Sequence, residues 1–221
     1  MALRKSKNRD AKLVEILTSK AISVKPYEST SPLLEQIIEC ILEEGDDSPS
    51  KAQKTKKKLM DEFVDWNEVR IVTEERLEPY FKGLEDSPYK LKVLQAVLNK
   101  IFSRTGSLEY QFLLDFEPND LEDYMAGILE LRENTRKMLI LNVFKKQILP
   151  FTSDHEVVFE EFGTAFHPGD DTMVSLFEDV DVEILEGMRL LFDQILKENE
   201  GSKSEEFKST TLNKIIKEAN I

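Results

Sequence analysis

Pro88-Tyr89-Lys90-Leu91-Lys92-Val93-Leu94-Gln95-Ala96-Val97-Leu98-Asn99-Lys100-Ile101-Phe102 is the stretch that decides the fold class. Leu91, Leu94, Val97, Leu98 and Ile101 recur at intervals of three and four, which lines one face of an α-helix and does not suit a strand. Pro88 fits the start of such a helix, where the N–H it lacks has no intrahelical partner. The same period continues outward in both directions. Upstream, residues 10–21 place Leu13, Ile16 and Leu17 on one face. Ser31-Pro32-Leu33-Leu34-Glu35 then reads as a Ser cap followed by a helix through Leu34, Ile37, Ile38, Ile41 and Leu42 to Gly45. Residues 45–50 are a polar loop, Ala52–Phe63 a further helix, Asp65–Val69 a connector, and Thr73 the cap of a helix closed by Gly83. Downstream, Asn119 or Asp120 caps a helix through Leu121, Tyr124 and Ile128. Asn134–Ile148 is a helix stopped by Pro150, and Ser153 or Asp154 begins a short one ended by Gly163. Asp181–Leu196 is amphipathic through Leu185, Met188, Phe192 and Ile195. Residues 202–209 form a linker before a short helix or frayed end at 211–219. Eight glycines and eight prolines in 221 residues leave room for long helices, and no set of alternating segments reads as a sheet. The chain is expected to be all-α, with about nine or ten short helices.

Composition narrows function. With 40% apolar residues the chain can bury a core. Cys40 is the only cysteine, so no internal disulfide and no Cys-based zinc or iron–sulfur site can form. Its place on an apolar helix face reads as a buried thiol, and a cytoplasmic location is the expectation. No apolar run reaches the ~18 residues of a membrane span, and the first residues lack the apolar core of a signal peptide. No membrane partner and no cofactor are expected. Gly-rich phosphate loops, HExxH and GxSxG are absent, and His155 and His167 stand apart. The acids Asp170-Asp171 and Glu178–Asp181 lack the spacing of a calcium loop and read as a solvated face.

The net charge of -13 is unevenly spread. Residues 150–200 hold 14 acids against Arg189 and Lys197, whereas residues 1–30 hold seven bases and three acids. A polyanion would have to meet the N-terminal part or the run Lys51-Ala52-Gln53-Lys54-Thr55-Lys56-Lys57-Lys58, whose other reading is a solvated helix face.

Taken in order, the helix opening at Pro32, the lysine-bearing helix to Phe63, Arg76-Leu77-Glu78-Pro79-Tyr80-Phe81-Lys82-Gly83, and Tyr89-Lys90-Leu91-Lys92-Val93-Leu94 resemble segments of the helix-hairpin-helix DNA glycosylase superfamily, the endonuclease III-like proteins of base-excision repair. The likeness covers roughly residues 31–196 and lies in segment order. At the place of the family's hairpin, Leu-Pro-Gly-Val-Gly-Arg-Lys, this chain has Leu131-Arg132-Glu133-Asn134-Thr135-Arg136-Lys137. Leu131, Arg136 and Lys137 match. The proline and both glycines, which let backbone amides approach a DNA phosphate, are absent, and Glu133 replaces a glycine with a carboxylate.

The resemblance implies a two-lobed helical fold, here without an iron–sulfur cluster, its lobes meeting near residues 131–155. Residues 1–30 would form a basic extension packing on the second lobe, 31–150 the lobe with the degenerate hairpin, 151–200 an acidic part completing the other lobe, and 201–221 a tail. It makes Arg132, Asn134 and Arg136 the candidates for DNA contact. Lys137 stands at the place of the Schiff-base lysine, which must be deprotonated to attack sugar carbon; its other reading is a solvated helix lysine. Asp154, in Thr152-Ser153-Asp154-His155, stands near the family's catalytic aspartate, which would stabilise a developing sugar cation; its other reading is an N-cap. The expected function is that of a DNA glycosylase or abasic-site lyase homologue with weak or lost catalysis and weak binding of damaged duplex DNA. The alternatives are a non-enzymatic module on the same fold binding an unknown protein, and an unrelated helical interaction protein.

Overall fold

The computed structural model describes residues 2–22, 32–45, 48–163, 171–200 and 209–219. Ser31, His167, Asp170 and the linker residues 202–208 named above lie outside them. The described residues are helical, with no β-strand among them: α1 (Ala2–Ala21), α2 (Leu33–Glu43), α3 (Pro49–Glu62), α4 (Trp66–Ile71), α5 (Glu74–Phe81), α6 (Ser87–Thr105), α7 (Pro118–Ala126), α8 (Glu133–Asn142), α9 (Glu156–Glu161), α10 (Asp171–Phe177), α11 (Val182–Glu200) and α12 (Thr210–Ala219). Turns of 3-10 helix occupy Gln111–Asp115 and Ser153–His155. No described helix is long and apolar enough to cross a membrane. The chain divides into two compact units, one of Met1–Tyr27 with Lys145–Ile221, the other of Glu28–Phe144.

The unit of residues 28–144 is organised on α6. Leu91, Leu94, Val97, Leu98 and Ile101 are all buried, and α6 packs against α2, α4 and α5. Lys90, on the same inward side, is 1% exposed. Its Nζ donates to the Leu42 carbonyl at 2.8 Å, satisfying an acceptor that the last turn of α2 leaves open. Gly106 ends α6 at φ 72, a left-handed backbone that glycine adopts without penalty. Cys40 is a free, buried thiol.

Several expected boundaries are corrected. The supposed connector Asp65–Val69 opens α4: the Asp65 side chain accepts from the Glu68 amide at 2.9 Å, and the Glu68 carboxylate accepts from the Val64 amide at 2.8 Å. This reciprocal capping, with Trp66 buried beneath, outweighs the helix's short length. Gln95 secures its other end, its amide donating to the carbonyls of Val69 at 3.1 Å and Val72 at 2.7 Å. Glu117, rather than Asn119 or Asp120, holds the cap position of α7, since Pro118 occupies the first turn. α8 stops at Asn142, well before Pro150. Val143 and Phe144 turn inward to 6% and 5% exposure, and Lys145 takes a left-handed φ of 52, which no helix continues. α10 and the turn Gln111–Asp115 were not expected, and α3 starts earlier than Ala52, with Pro49 in its first turn.

In the other unit α1 lies along α11, and α12 packs on both. Gly187 permits the close approach of α1 and α11: a Cβ there would come within 2.6 Å of the Ala21 carbonyl oxygen. Phe151, Phe159, Phe177 and Phe192 form the aromatic centre, with the Phe151 and Phe192 rings 4.6 Å apart.

Candidate functional site

Residues 131–137, the stretch compared above with a family hairpin, lead into α8 from a turn after α7 in which the Leu131 amide donates to the Ile128 carbonyl at 3.0 Å. Ile128 and Leu131 are buried and anchor the turn. No residue from Gly127 to Thr135 has positive φ, so the tight left-handed loop that two glycines would permit does not form. Leu129, at the tip, is 93% exposed.

Tyr89 of α6 fills the place in front of α8. Its hydroxyl accepts from the Arg132 amide at 3.2 Å and shares a hydrogen with the Thr135 hydroxyl at 2.8 Å. Thr135, fully buried, donates to Glu44 Oε1 at 2.5 Å. Burial pushes the Tyr89 hydroxyl above its ordinary value, which keeps it neutral. The Arg132 guanidinium lies 3.7 Å from the centre of the Tyr89 ring, and Nη2 pairs with Asp86 at 2.7 Å. Asp86 itself holds a left-handed φ of 46 at the start of α6, a backbone region that Asp tolerates better than most residues. Arg136 turns back to donate to the Leu131 carbonyl at 3.0 Å. The start of α8 thus carries the carboxylates of Glu44 and Glu133, where an incoming phosphate would need neutral or cationic neighbours.

Lys137 is not a solvated lysine. It is 7% exposed, with Nζ 3.5 Å from Glu122 and 3.9 Å from Glu133. A nucleophilic amine is favoured by an apolar or cationic surrounding; here two carboxylates lie beside Nζ instead. Asn134, in the first turn of α8, is half-buried. In the same unit, a recess of about 260 Å³ is lined by Glu74, Glu75 and Glu78 against Lys92, over Phe81, Pro88 and Leu91, a lining in which carboxylates outnumber the one cation.

Asp154 belongs to the other unit and is exposed, in the middle of the turn Ser153–His155. It is not the N-cap. Thr152 takes that role: its side chain accepts from the His155 amide, and the Thr152 amide donates to His155 Nδ1 at 3.0 Å. Because an amide can only donate, Nδ1 accepts, so the hydrogen on Nε2 is directed to Asp193 Oδ1 at 3.0 Å. Arg189 donates to Asp193 at 2.6 Å and makes a two-pronged pair with Glu186 at 2.9 and 2.8 Å. His155, Glu186 and Arg189 are each at most 3% exposed, and the His155 ring meets those of Phe151 and Phe192. Both imidazole nitrogens are engaged, so His155 orients the turn and has no free nitrogen for a substrate proton.

The two candidate catalytic residues therefore belong to different units: Lys137 is held by Glu122 and Glu133, and Asp154 is exposed beside the Thr152–His155–Asp193 network. A signal for that network existed: Glu186, Arg189 and Asp193 recur at three and four along one helix face. Nothing in the sequence linked Tyr89 to Thr135, 46 residues away. Among the described residues no group of three or more His, Cys, Asp or Glu could hold a metal ion. A scan against protein-family models and a search of curated proteins find no match to the chain.

Proposed function

We propose that the chain is a helix-hairpin-helix DNA glycosylase homologue of the endonuclease III-like type that has kept a helical frame and lost glycosylase and lyase catalysis, leaving at most weak, sequence-independent binding of duplex DNA. Segment order and Leu131, Arg136 and Lys137 support the kinship. So does the way the chain divides, with a central helical unit set between N- and C-terminal segments that join in the other. The single observation that carries the loss is the filled start of α8. Tyr89 takes the Arg132 amide, Glu44 takes the Thr135 hydroxyl, and Glu122 and Glu133 take Lys137.

Borohydride trapping on duplex DNA bearing an abasic site tests this reading. No covalent adduct is expected, because Lys137 Nζ is buried against Glu122 and Glu133 and is not presented to a sugar carbon for the imine that borohydride reduces. An adduct that disappears in Lys137→Ala would overturn it. A second reading, a non-enzymatic protein-interaction module on the same frame, is favoured by the 93% exposure of Leu129 at the tip of the hairpin-equivalent turn. A single apolar tip of this kind suits an apolar pocket better than a phosphate.

A further inference from the structure

The lysine-rich stretch is not a uniform surface. From Ser48 to Met60 the chain carries five lysines and no acid, and α3 sorts them. Ala52, Thr55 and Leu59 face inward. Lys56 turns to α2, where Nζ pairs with Glu35 at 2.9 Å and with Glu39, whose side chain is 3% exposed. That pairing fixes the rotation of α3. Lys51, Lys54, Lys57 and Lys58 are left exposed on the other side.

At ~100° and ~1.5 Å per residue these four lie within an arc of about 120° and a length of ~10 Å, the axial rise of about three phosphates on one strand of a duplex. Lys54, Lys57 and Lys58 make no ion pair among the described residues. No acidic residue occupies the first turn of α3, so the positive end of the helix dipole adds to the same field. Exposed Asp61 closes the stripe on the same arc at the C-terminal end of α3; in a chain of net charge -13, the four lysines ahead of it are still a local excess of positive charge that attracts a polyanion.

The neighbouring side chains select among polyanions. The apolar residues of α3 point into the unit, so none is available on this arc to enter a lipid surface. No aromatic residue occurs between Ser48 and Glu62 to stack on the bases of a single strand. We propose that α3, through Lys51, Lys54, Lys57 and Lys58, is a sequence-independent contact for the phosphate backbone of duplex DNA, at a place distinct from the hairpin-equivalent turn. The stripe holds none of the residues tested by borohydride trapping, so an adduct there and a failure here are separate results.

The test is salt-dependent binding of a fluorescent duplex followed by anisotropy, with wild type, the triple variant Lys54→Gln/Lys57→Gln/Lys58→Gln, and Arg132→Ala. Wild type should bind at about 20 mM salt with log K falling against log salt at a slope of roughly -3 to -4, about 0.9 per lysine. The triple variant alters only exposed side chains. It should lose about 2.7 from the slope and bind at least tenfold more weakly at ~20 mM salt, with an unchanged far-UV circular dichroism spectrum. Arg132→Ala should keep the wild-type slope. No duplex binding by wild type at low salt, an unchanged slope in the triple variant, or loss of the slope in Arg132→Ala would each overturn the assignment. So would capture by vesicles of phosphatidylserine and phosphatidylcholine without capture by duplex.

Discussion

In the unit of residues 28–144 the polar centre is a phenol and a threonine hydroxyl, Tyr89 and Thr135, bridging three helix ends. In the unit of residues 1–27 and 145–221 it is a chain of charges, Glu186, Arg189 and Asp193, closed by His155. Both use their polar groups to hold local structure. The physical difference lies in what a lost partner leaves behind. A hydroxyl stripped of one bond can turn to another, whereas a buried carboxylate stripped of its cation keeps an uncompensated charge. The units also share a device. Gln95 gathers the carbonyls at the end of α4, and Gln147 donates to those of Phe177, Glu178 and Val180 after α10.

The strongest way to break this contrast is Arg189→Met. Glu186, 3% exposed, would stay buried without its two-pronged partner, at a cost of about 3–5 kcal/mol. Urea unfolding followed by circular dichroism measures it. Tyr89→Phe should cost less, about 1–2 kcal/mol, since Thr135 loses Tyr89 but keeps Glu44, and the Arg132 amide loses its acceptor. Trp66, buried in the same unit, reports it by fluorescence. If Tyr89→Phe proves the more damaging, buried charge is not what separates the two networks.

The smallest effect is set by pH. Burial raises the Glu198 carboxyl, but bonds from Ser209, from the Thr211 hydroxyl and amide, and from Gln194 outweigh it and bring the group down from 4.5 to about 2. A carboxyl lowered in the folded state contributes stability above its unfolded value and loses it as pH falls through the folded one. The tie between α11 and α12 should therefore weaken from about pH 4.5 down to about 2. Protection against hydrogen exchange within 210–219, relative to the intrinsic rate at each pH, should fall over that window in the wild type and already be low and flat in Glu198→Gln.

How much of this was legible depends on the range of the interaction concerned. The α6 face, Cys40 as a buried thiol and the existence of a helix leading to Phe63 follow from periodicity, which is local. α4 escaped because its six residues carry too short a pattern, although Asp65 and Glu68 stood at capping distance. The end of α8 was misplaced because Pro150 is a visible breaker while the left-handed Lys145 is not. At the candidate site, the absent glycines and Glu133 could be read directly. Glu44 and Tyr89 could not, since they reach Thr135 from 91 and 46 residues away.

By itself the sequence determined the helical class, the lone cysteine, the acidic C-terminal block and the absence of glycine from residues 128–137, because propensity, composition and spacing are properties of neighbouring residues. Tertiary structure alone decided the fate of each charge. It turned Lys56 inward to Glu35 and Glu39 while leaving Lys57 and Lys58 outside, buried Lys137 between two carboxylates, and drew Arg189 into a closed network within the acidic stretch. A charge takes its role from the groups that packing brings within a few ångströms, and those groups come from distant parts of the chain.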